Sequence, residues 1–161
     1  METYREMPPE AKVWIYQSNR PFTDEELKEL EPQIQTFADE WVSHNVKLKA
    51  FGAVYLNRFI VLMVDESQAG ASGCSIDRSV YFLKLVERNF GVELFDRQTF
   101  AYRNGEGEAV CTVSSQEFAQ LYQSGKITDE TLVFDNLVNT KEAFDKAWIK
   151  PLGESWHKRL V

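Results

Sequence analysis

Cys74 invites chemistry because of where it stands. It lies in Gly70-Ala71-Ser72-Gly73-Cys74-Ser75, at the expected start of a helix, where aligned peptide dipoles favour a thiolate. A thiolate nucleophile needs a base, and the chain holds two histidines, His44 and His157, neither of them near Cys74 in sequence. Arg78 is the close cation, while Asp77 adds a negative charge, so a capping or buried cysteine is favoured over a nucleophile. The same loop suits a phosphate or carboxylate: the backbone N–H groups of Gly73 and Cys74, the Ser72 and Ser75 hydroxyls, and charge from Arg78 or Arg97 could converge on an anion. It lacks the Lys-Ser/Thr pair of a P-loop and the three-glycine spacing of a dinucleotide fingerprint, so no nucleotide cofactor is expected. A tight connection capped by Ser75 is the plainer reading. A third chemistry belongs to carboxylates. Asp65, Asp77 and Asp96, with Glu66 and Asp135, sit at expected strand ends or a helix start, and would hold Mg²⁺ or Mn²⁺ as hard oxygen ligands if they converged. Solvated acids at strand ends are the ordinary alternative.

The elements that must position these residues follow from hydrophobic spacing. Phe59 to Val64 is an unbroken apolar run ended by Asp65, which reads as a strand covered on both faces. Ser75-Ile76-Asp77 opens a helix whose stripe is Ile76, Val80, Leu83, Val86 and Phe90, with Gly91 as a left-handed cap. Upstream, Lys12 to Gln17 alternates as a strand, and Thr23 with Glu26 has the spacing of a capping box. The helix it starts carries Leu27, Leu30, Ile34, Phe37 and Trp41, with a kink or restart expected at Pro32. Lys49 to Leu56 and Arg58 to Val64 form a hairpin about Asn57, and Val92 to Phe95 supplies a further strand.

The resulting order βαββαβ predicts an α+β domain with a ferredoxin-like split βαβ core over residues 12–97, after a polar lead-in, 1–11, that Pro8-Pro9 keeps extended and mobile. Residues 98–161 read as a mixed or helical extension. Asn104-Gly105 predicts a hairpin turn, Ser114 to Glu117 a second capping box, and Thr140 to Ile149 a helix stopped by Pro151. The doubly apolar strand leaves one sheet face needing cover, from this extension or from a second subunit, so a homodimer is expected.

Composition narrows the function. At 161 residues the chain supports one domain with a core plus an extension. A net charge of −7 and a pI near 4.9 disfavour phosphate backbones, so no nucleic-acid role is expected. No apolar run suits a signal peptide or a membrane span, and Cys74 and Cys111 are too few for a disulfide framework. The expectation is a cytoplasmic protein with free thiols.

Several segments together resemble a family of small uncharacterised bacterial proteins: VWIYQSNRPFTDEEL (13–27), RFIVLMVDE (58–66), GASGCSIDRS (70–79), FGVELFDR (90–97) and SWHKR (155–159). Members are often labelled ABC-transporter ATPases by automatic annotation, but this chain has neither a Walker A motif nor an ABC signature, so that activity is not carried over. Gly125 to Val133 is similar to the tail of a GYF-type peptide-binding module. The reading reached is a non-enzymatic domain binding a protein or a small anionic ligand at the Asp65–Ser79 loop. The rival is a small enzyme, with Cys74 as nucleophile and His44 or His157 as base, or with a metal on Asp65, Asp77 and Asp96.

Overall fold

A computed structural model describes all residues, 1–161. The chain is α+β. Strands β1 (Lys12–Gln17), β4 (Lys49–Tyr55) and β5 (Phe59–Asp65) form an antiparallel sheet in the order β1-β5-β4. Helices α1 (Asp24–Glu40) and α2 (Gly73–Phe90) cover one face of it, and a two-stranded ribbon, β2 (Val42–Ser43) and β3 (Val46–Lys47), follows α1. The second sheet is β7 (Cys111–Ser114), β6 (Thr99–Arg103), β8 (Leu132–Phe134) and β9 (Ile149–Pro151), with α3 (Ser115–Gln123) and α4 (Lys141–Ala147).

Strand β5 runs through the middle because it is apolar on both sides, and Phe59 to Val64 are all fully buried. Ile60, Leu62 and Val64 face Leu30, Ile34, Leu83 and Val86 of the helices. Phe59, Val61 and Met63 face the opposite way, onto Ala101, Phe134, Phe144 and Trp148 of the C-terminal third. That third therefore supplies the cover the strand requires. The polar lead-in, expected to be mobile, is tied down. The Met1 amino group pairs with Asp39, the Glu2 amide bonds the Ala50 carbonyl at 2.9 Å, and Met7 is buried.

Other expectations shift. Helix α1 runs unbroken through Pro32 rather than restarting there. Helix α2 begins at Gly73, two residues before the expected start, because Ser72 is its N-cap and Ser75 the reciprocal member of the capping box. Its inner stripe is Ser75, Ser79, Leu83, Val86 and Phe90, so Ile76 and Val80 turn away from the core. The expected strand Val92–Phe95 is irregular chain. Two causes are visible. Asp96 accepts hydrogen bonds from the Gln98 amide (2.7 Å) and the Thr99 hydroxyl (2.7 Å), turning the chain into β6 of the other sheet. At the opposite end of β1 the open edge is taken by the C-terminal third, through Val13 N–H to the Asn139 carbonyl (3.0 Å) and Lys141 N–H to the Ala11 carbonyl (2.9 Å).

Candidate functional site

The Asp65–Ser79 loop is largely satisfied by its own side chains. Asp65 accepts from the Ser67 amide (3.0 Å), which holds its carboxyl below the ordinary value. The Glu66 carboxylate accepts from the Ala71 amide (2.8 Å) and lies against Gly70 so closely that a Cβ there would come within 2.9 Å of it. Ser72 and Ser75 exchange amide-to-hydroxyl bonds of 2.7 and 3.2 Å. The loop thus carries its own anion, Glu66, and its amides at 71, 72 and 75 are spent internally. Gly73 and Cys74 are exposed at the first turn of α2, with Arg78 one turn on, while Arg97 belongs to a different opening beside β1.

The remaining candidates are scattered. His44 sits at φ +51° in the exposed β2–β3 turn, and His157 is buried in the C-terminal third, its Nδ1 2.6 Å from the Ser155 hydroxyl. Neither hydrogen-bonds Cys74, so the Cys-His pair is not assembled. No three His, Cys, Asp or Glu side chains gather as a metal site. Asp65 and Asp96 are turn-capping residues, and Asp77 lies on α2. Asp135 is buried, salt-bridged to Lys150 at 2.8 Å and accepting from Trp156 Nε1 at 2.8 Å, so it clamps the C-terminal third together. Although its burial alone would raise its pKa, these partners hold it below the ordinary value.

What the structure does assemble around Cys74 is an apolar groove of about 600 Å³ between the outward sides of α1 and α2. Its walls are Phe37, Trp41, Tyr81, Phe82 and Leu85; its rim carries Cys74, Asp77 and Arg78 from α2 and Glu40 from α1. Phe37 stacks on Phe82 with centroids 4.6 Å apart and planes 10° apart, and meets Trp41 at 5.0 Å. The helices are fixed relative to one another here by Trp41 Nε1, which donates to the Ser75 carbonyl at 2.8 Å. A shallower depression along Pro32, Gln33 and Thr36, about 390 Å³, continues the groove through Phe37 and Glu40.

By contrast, the cavity between the two sheets, lined by Gln17, Thr99, Asn136 and His157 among others, holds about 70 Å³. That is room for a few waters at most.

Residue spacing placed Cys74, Asp77 and Arg78 near a site but missed Phe37, Tyr81, Phe82 and Leu85. Helical spacing puts Phe37 in the core stripe of α1, whereas the buried positions are Leu30, Ile34 and Ala38. The usable signal was width: Phe82 and Leu85 lie beside the core stripe of α2, making its apolar sector broader than one packing contact consumes. No family model, curated protein or solved structure matches this chain, and no helix in it is long and apolar enough to cross a membrane.

Proposed function

We propose that this protein is a non-enzymatic binding domain whose site is the α1/α2 groove at the Cys74 end of α2. The observation that carries this reading is an aromatic-walled hollow of about 600 Å³ in a chain whose other apolar surfaces are mostly covered. That volume lies within the usual range for small-molecule sites, which are concave and mostly apolar with a few polar groups at the rim. Three residues of the originally expected loop site, Cys74, Asp77 and Arg78, remain part of the proposal as rim groups. Ser72, Gly73 and Ser75 contribute by starting the helix that presents them. The enzymatic alternative lacks a histidine hydrogen-bonded to Cys74 and a gathered set of carboxylates to support it.

Three subsidiary readings accompany the proposal. The chain is a ferredoxin-like variant whose fourth strand has been diverted. It is a member of the small bacterial family its segments resemble, without that family's ATPase label. It works in a reducing cytoplasm, which suits two free, exposed cysteines. The homodimer was expected on the ground of an uncovered sheet face. The chain's own C-terminal third covers that face, so a dimer would need another surface, and sedimentation equilibrium decides between the two states.

The binding reading is tested with Nile red, a neutral apolar dye. Its fluorescence should rise and shift blue on folded protein at micromolar concentrations, and Phe82→Ser should abolish the signal while leaving the circular dichroism spectrum unchanged. A dye that ignores the folded protein, or binds Phe82→Ser equally well, overturns the reading.

A further inference from the structure

We infer that the α1/α2 groove takes an organic cation with an aromatic or aliphatic body. This rests on the reading of the groove as a binding site and names its ligand class.

Two features point to positive charge. First, the walls are aromatic, and the face of a ring attracts an ammonium group while its edge does not: Phe37 and Phe82 stack on each other and Trp41 is buried, which leaves Tyr81 as the ring whose face is open. Tyr81 is 68 % exposed, so its ring is available to an incoming group. Second, the rim bears two carboxylates, Glu40 and Asp77, against one guanidinium, Arg78, and none of the three has an ion-pair partner elsewhere in the protein.

Arg78 and the positive first turn of α2 lie at the Glu40 end, beside the C-terminus of α1 that Trp41 Nε1 holds against the Ser75 carbonyl, and they set the orientation. The cationic head belongs over the exposed ring of Tyr81, one turn from Asp77 on α2, and the apolar body extends along Phe82 and Leu85. A net charge of −7 adds a favourable long-range field for cations and disfavours anions or a second copy of the chain as occupants.

The test compares isosteres by Nile red displacement at low ionic strength: phenyltrimethylammonium, neutral tert-butylbenzene of the same shape, and the anion phenylacetate. The inference predicts at least about ten-fold tighter binding of the ammonium than of tert-butylbenzene, weakening with added salt. Glu40→Gln with Asp77→Asn should narrow the gap between the two ligands and remove its salt dependence, leaving the share owed to the Tyr81 ring, and Arg78→Gln should tighten the ammonium further. Equal affinities, or preference for phenylacetate, overturn the inference while leaving the binding site standing. If none of the probes displaces a groove-bound dye, the inference fails. Failure of the dye itself to bind is the separate result that removes the groove as a site.

Discussion

At the scale of single residues, His157 shows how burial changes what a titratable group does. It is 1 % exposed, packed edge-on to Phe100 at 4.9 Å and stacked with Trp156 at 3.8 Å. Desolvation pushes its pKa down from 6.5 to about 4. The unfolded chain therefore takes up the proton first. The stability that goes with a neutral imidazole is fully present above about pH 6.5 and drains away as pH falls towards 4, on the order of 3 kcal/mol in all. Glu26, held at about 2 by the Arg20 guanidinium, loses its smaller contribution only below about pH 4.5, so the two windows separate. His157→Gln should accordingly show a flatter urea midpoint between pH 6.5 and 4 than the parent, and an unchanged slope would refute the assignment. His157 was a candidate base in sequence. Nothing in SWHKR announces that Phe100 and Phe118 close over it, since those contacts bridge distant segments.

At the scale of elements, the helices sit very close to the sheet at one point. A Cβ on Gly52 of β4 would lie 2.6 Å from Ile34 Cγ2 and 3.0 Å from Leu62 Cδ2. Both neighbours are fully packed, so Gly52→Ala should cost about 1–3 kcal/mol by overpacking, read from a lowered urea midpoint at constant slope. Equal stability would mean α1 can lift off the sheet more easily than its packing implies. Deleting core volume on the other face, Met63→Ala, should cost about 2–5 kcal/mol in the same assay.

The strand β5, the hairpin about Asn57 and the cap at Thr23 were legible because each is a local pattern: an apolar run, a residue that tolerates positive φ (+59° here), a fixed Thr-to-Glu spacing. The diverted segment 92–97 was not. Its apolar residues suit a strand, and what prevents pairing is an Asp96 turn together with Asn139 and Lys141 arriving from far along the chain.

At the scale of the whole molecule, the C-terminal third is structural cover as much as an extension. Phe134, Phe144 and Trp148 pack directly on Phe59, Val61 and Met63 of the central strand, and stacked Phe59 and Phe134 lie 5.0 Å apart. The two sheets should therefore melt together. Trp14 and Trp41 lie on the helix side, Trp148 and Trp156 in the C-terminal third, so single-tryptophan variants report on each half. Coincident urea transitions from Trp41 and Trp148 are expected, and separated midpoints would divide the chain into two folding units. The need for cover was legible from the doubly apolar strand, though its source, own chain or second subunit, was not. The groove was only half legible. Cys74, Asp77 and Arg78 were marked by their place at a helix start, but the aromatic walls come from two helices whose juxtaposition no local spacing records.

The most direct test of the central claim is an amide-and-indole NMR titration of the isotope-labelled protein with phenyltrimethylammonium. Shifts confined to the groove are predicted, at Asp77, Tyr81, Phe82 and Leu85 on α2 and at Phe37, Glu40 and the Trp41 indole N–H on α1, saturating with one equivalent bound. Shifts centred instead on Gln17, Arg97 and Asn136 beside β1, or no saturable shifts at all, would contradict it.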